Sequence, residues 1–71
     1  MKRYEITMSN GDKHVVRDYM ERKPIDFYRQ ILGQTGLVII DKEIVPNRTR
    51  VIGIRCEHVS SICPLPDTAE L

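Results

Sequence analysis

The sequence predicts an α+β domain: a small, strongly curved antiparallel sheet or partial barrel, ordered β-β-α-β-β-turn-β, with one covering helix. Three observations lead there. Apolar residues alternate through residues 3–8 and return after an Asn-Gly pair, the pattern of a hairpin. Residues 24–32 carry apolar side chains at helical spacing between a proline and a glycine. Segment 37–54 holds three short β-branched runs, separated by pieces too short for helices, which read as consecutive antiparallel strands.

The first strand puts Tyr4, Ile6 and Met8 on one face and Arg3, Glu5 and Thr7 on the other. Asn10-Gly11 tolerates positive φ and marks the turn, and residues 13–17 return as the second strand. Two registers are open at this point. A two-residue turn pairs Ile6 with Val15 and exposes His14. A three-residue loop with a glycine bulge instead brings His14 and Val16 to the face of Tyr4, Ile6 and Met8.

Asp18 and Glu21 have capping-box spacing, so a separate turn is expected before the main helix. Pro24 fits the first helical turn, Asp26 the positive end of the macrodipole, and Gly33 the left-handed position after the last turn. Phe27 and Ile31 share one face, with Tyr28 and Leu32 on the adjacent one. After Gly36, the run Leu37-Val38-Ile39-Ile40 is the third strand and Asp41-Lys42 a tight reversal. Ile44-Val45-Pro46 is the fourth strand, Pro46-Asn47-Arg48-Thr49 a single turn, and Val51-Ile52-Gly53-Ile54 the fifth strand. The domain is expected to cover 1–62. From Cys63 onward, Pro64, Pro66 and an acidic end predict an extended, mobile tail over 63–71.

The strand Ile44-Val45-Pro46, its one-turn corner and the strand Val51-Ile52-Gly53-Ile54 resemble the last part of Sm-like and SH3-like barrels, over roughly residues 36–56. That resemblance implies a small barrel. The Arg-Gly pair of the Sm family is missing, and the helix lies between strands two and three instead of leading the fold. The cadence of short hairpin, single helix and Val-Ile-x-Ile ending is also similar to small proteins of Gram-positive bacteria and their phages, which implies an origin in a phage or mobile element.

Seventy-one residues make one domain. A chain of this size buries only about 60% of its unfolded surface, so a partner subunit is a common source of added stability. Eleven basic and ten acidic residues leave a net charge of +1, with no general pull toward nucleic acid or an anionic membrane. Lys2 and Arg3 have no continuous apolar segment behind them, so neither a signal peptide nor a membrane association is expected. The expected location is the cytoplasm, with both cysteines reduced.

Cys56, His58, Cys63 and His14 are the candidate metal ligands, since Cys56 and His58 would share one side of an extended strand. Their spacing lacks the close chelating pairs of structural zinc sites, and no carboxylate is placed to orient a histidine toward a thiol. No enzyme and no cofactor are therefore expected. Arg17, Arg22, Lys23, Lys42, Arg48 and Arg50 could instead form a basic surface for single-stranded RNA or DNA, with Tyr19 among them. Acids interleave with these bases. The leading expectation is thus a non-enzymatic protein-interaction module, either a homodimer or docked on a larger protein.

Overall fold

The hairpin register follows from one glycine. Gly11 adopts a φ of 94°. Its amide donates to the Met8 carbonyl at 2.9 Å, and the Met8 amide donates to the Asp12 carbonyl at 2.7 Å. This is the three-residue loop with a glycine bulge. It joins β1 (Lys2–Met8) to β2 (Lys13–Asp18), pairing Tyr4 with Val16 and Ile6 with His14. Tyr4, Ile6 and Val16 are consequently buried on one face, with His14 half-buried beside them. The structure, a computed structural model, describes residues 2–45 and 48–66.

Asp18 ends β2 and turns the chain, but not as a helix cap. Its carboxylate accepts from the Met20 amide at 3.2 Å and the Arg22 amide at 3.0 Å. It also takes the Arg22 guanidinium through Nε at 3.2 Å and Nη2 at 3.0 Å. The expected capped turn is replaced by this clamp because a buried carboxylate is satisfied best by a cation and several amides together. Helix α1 (Pro24–Ile31) follows and stops where Gly33 takes a φ of 79°. It buries Phe27 and Ile31. Phe27 stacks on Tyr4 at 4.2 Å between ring centroids, and Tyr28 meets Tyr4 edge-on at 5.9 Å.

The expected reversal at Asp41-Lys42 does not occur. β3 (Leu37–Val45) runs straight through the polar residues and pairs antiparallel with β4 (Arg48–Arg55) on one side and with β2 on the other. Two strands therefore stand where three were expected. The polar break fits inside a strand because its two acids, Asp41 and Glu43, meet basic neighbours across the sheet. Arg17 lies opposite Asp41, and Glu43 is bound by Arg3 and Arg17. The expected turn over residues 46–49 changes as well: Arg48 and Thr49 already belong to β4, while Pro46 and Asn47 lie outside the described residues.

The expected fifth strand, Val51-Ile52-Gly53-Ile54, is part of β4, and the strand after it was not expected. A 3-10 turn, η1 (Cys56–His58), leads from β4 into β5 (Val59–Leu65), which pairs antiparallel with β1. Cys63, Pro64 and Leu65, expected to open the tail, are the end of this strand, and Pro64 lies opposite Tyr4. Proline is excluded from central strands but tolerated at an edge, where one side needs no partner. Residues 67–71 of the expected tail lie outside the described residues.

The result is a five-stranded antiparallel sheet with one helix, in the order β4-β3-β2-β1-β5. Its two edge strands are consecutive in sequence. A flat sheet would hold them about 19 Å apart, at about 4.8 Å per strand spacing. The link from Arg55 to Val59 contains a 3-10 turn, which rises only about 2 Å per residue. The sheet must therefore curl, although the edges do not pair and it is not closed. The Cys56 amide donates to the Gly36 carbonyl at 2.8 Å, and the Ser9 amide to the His58 carbonyl at 2.7 Å. These bonds fix the turn between the start of β3 and the β1–β2 loop. The core on the concave face comprises Tyr4, Ile6, Val16, Phe27, Ile31, Ile40, Ile54 and Cys56.

Candidate interaction surface

Directly opposite residues of paired strands face the same side of a sheet. Val38, Ile40 and Lys42 of β3 therefore share the concave face with Ile54, Ile52 and Arg50 of β4. Leu37, Ile39, Asp41 and Glu43 share the outer face with Arg55, Gly53, Val51 and Thr49. The helix lies on the concave side, so no described helix or strand covers the outer face.

That outer face divides into two regions. Toward β1 and β2 it is a charge network. Arg3 donates to Glu43 from Nε at 2.8 Å and Nη2 at 3.1 Å, and Arg17 donates from Nε at 3.1 Å. Arg3 foremost, then Arg17, pulls the Glu43 carboxyl below the usual range, outweighing the opposing effect of burial. The Tyr19 hydroxyl and Glu43 in turn hold Arg17 more firmly protonated. Toward β4 the face is apolar. Leu37, Ile39 and Val51 are 68%, 62% and 63% exposed. They surround Gly53, where an added Cβ would come within 3.3 Å of the Leu37 side chain. Isolated exposed apolar residues are ordinary, but a contiguous group beside an unpaired strand marks an interaction site.

β4 lies at the sheet edge: β3 pairs one side of its backbone, and no described strand pairs the other. It carries Arg48, Arg50 and Arg55 and no acid. Among the described residues none of the three has a carboxylate partner, whereas Arg3, Arg17 and Arg22 each have one. On the concave face Arg50 stands opposite Lys42, a like-charge pair.

The six basic candidates do not share one surface. Arg17 is bound to Glu43 on the outer face. Arg22 is bound to Asp18 and lies 5.3 Å over the Phe27 ring. Lys23 is exposed before the helix. Lys42 and Arg50 meet on the concave face, and Arg48 begins β4 beside Val45.

The four metal candidates also separate. Cys56 is buried within η1 rather than on an extended strand, so the expected shared side with His58 is lost. Cys63 is exposed on the outer face of β5, opposite Glu5. His14 and His58 do line one cleft of roughly 370 Å³, with Met8, Ser9, Asn10 and Asp12. His14 Nδ1 is buried there without a hydrogen-bond partner among the described residues. Burial and the Lys42 charge lower its pKa, with Asp12 opposing them. Among the described residues no three His, Cys, Asp or Glu side chains come together to hold a metal ion.

Comparison with protein-family models, curated proteins and solved structures finds no match. No described helix is long and apolar enough to cross a membrane. The sequence reading had missed the β4 edge, because it ended the third strand at Ile40 and took Arg48 and Thr49 for a turn. The signal was the alternation itself. Read without a break, residues 37–45 place Leu37, Ile39, Asp41 and Glu43 on one face.

Proposed function

We propose that this chain is a non-enzymatic protein-interaction module that docks through the β4 edge and the apolar surface beside it. The observation that carries this reading is the exposure of Leu37, Ile39 and Val51 around Gly53, next to a strand with an open backbone side. An incoming strand would satisfy β4 backbone groups and cover these side chains in one step. Burying the three would remove a substantial apolar area from water, at about 25 cal/mol per Å². The occupant is a second copy or another protein. The strand order and the 3-10 turn between the edge strands also support a small partial barrel of the SH3-like kind.

The test pairs two measurements on the wild type and on a variant carrying Ile39→Asp and Val51→Asp. Light scattering after gel filtration reads self-association, and fluorescence anisotropy reads binding of an extended peptide with alternating valines. The wild type should engage its own copy or the peptide. The variant should engage neither, at an unchanged thermal midpoint. A wild type inert in both measurements would contradict the reading.

A further inference from the structure

The charge on β4 narrows the choice of occupant. A second copy entering edge-to-edge would bring two strands of three arginines each together, with no acid on either. Like charges placed across adjacent strands destabilise the pairing. An acidic strand meets the opposite situation. On the concave face, Arg50 and Lys42 already stand side by side without a carboxylate partner among the described residues. A carboxylate on the next strand would lie beside Arg50 and relieve their repulsion.

The outer face asks for something different. There the next strand meets Val51 and Gly53, with Ile39 and Leu37 behind them and Arg55 at the end. Side chains of a strand alternate between faces, so one extended segment can meet both demands.

We propose that the β4 edge takes an extended acidic segment of another protein, with carboxylates on the concave side over Arg50 and Lys42 and apolar side chains on the outer side over Val51, Ile39 and Leu37. This rests on the docking reading above and adds the chemistry of the partner. A nucleic acid would also supply negative charge. It would leave the apolar side of the strand uncovered, and β3 and β4 carry no aromatic residue on which bases could stack.

The experiment uses capped peptides of eight residues, the length of β4. Valine alternates with glutamate, serine or lysine, and an oligouridine is the fourth probe. Anisotropy should rank glutamate over serine over lysine, with the outer two separated by at least about tenfold. Arg50→Glu should reverse that order, and Arg50→Gln should flatten it, which keeps the test readable should the reversed charge disturb folding. The Ile39→Asp, Val51→Asp variant should lose all three peptides.

Equal binding of the three peptides, lost in that variant, would overturn the acidic partner and leave the docking surface standing. Oligouridine binding that Arg50→Gln weakens, without binding of the glutamate peptide, would overturn it in favour of nucleic acid. A dimer that the glutamate peptide cannot displace would make the second copy the occupant and overturn it too. A protein that binds no peptide and stays monomeric would remove the docking reading itself.

Discussion

β5 and β4 bound the same sheet, yet β5 exposes Ser60, Ser61, Cys63 and Pro64 where β4 exposes Val51, Gly53 and three arginines. Pro64 removes one backbone donor from its edge, a common way to blunt a strand against pairing. Val59 and Ile62 of β5 pack against the core, while half-buried Leu65 lies opposite Arg3 on the outer face. Half of β4 likewise faces the core through Ile52 and Ile54. Its other half stays in water. The difference teaches that an edge is read by its exposed side chains together with its backbone, and only β4 pairs an open ladder with an apolar surface.

The largest effect should separate structural from docking residues. Ile62→Asp in β5 places a charge against the core and should cost about 2–4 kcal/mol. At roughly 4–8 °C per kcal/mol for a domain of this size, most of the folded population should be lost on mild warming. Val51→Asp in β4 should leave the thermal midpoint within a few degrees. Equal losses in the two variants would erase the distinction between the edges.

Acid should act next, and on the centre of the sheet. Asp18 and Glu43 both have lowered pKa values. At Asp18 burial pushes upward but is outweighed by Arg22 and the Met20 amide; at Glu43 the Arg3 and Arg17 guanidinium groups dominate. The unfolded chain therefore protonates these carboxyls first as the pH falls. Their contribution is full above the ordinary carboxylate range and is lost as the pH drops through it toward their lowered values. His14 has the same sign, since its folded pKa is also lowered: its contribution is full above about pH 6.5 and declines below. Denaturant midpoints should thus fall in two stages on acidification. Glu43→Gln should shrink the lower stage, and His14→Gln the upper. Because Glu43 links β1, β2 and β3 through Arg3 and Arg17, both edges should be released together.

Pro64→Thr sharpens the comparison from the other side. It restores a donor to β5 and should raise the apparent mass in light scattering, at a stability change within about 1 kcal/mol. An unchanged mass would show that the small polar residues of β5 blunt the edge without the proline. The smallest effect belongs to Arg48→Ala with Arg50→Ala. These exposed side chains, without a carboxylate partner among the described residues, should alter folding by no more than about 0.5 kcal/mol. Any single-strand RNA affinity lost with them should flatten its salt dependence by about one unit per phosphate contact.

Much of the first half was legible from local chemistry. Pro24, Asp26 and Gly33 marked the helix, and Gly11 left only two registers, one of which the structure adopts. The second half was misread because its rules are relational. Asp41, Lys42 and Glu43 look like a turn until Arg3, Arg17 and Val16 are brought beside them by the sheet. Pro64 argues against a strand unless that strand is known to be an edge. Cys56 and His58 lost their common side because the chain must cross from one edge to the other in a 3-10 turn. The docking surface was hidden for the same reason, since its members belong to both strands of a hairpin whose pairing the sequence does not state.

Backbone amide exchange tests the asymmetry of the edges most directly. With the glutamate–valine peptide at saturation, the amides of β4 should gain protection relative to the free protein, while those of β5 should exchange as before. Protection gained in β5, or spread evenly over both strands, would contradict the assignment of docking to β4.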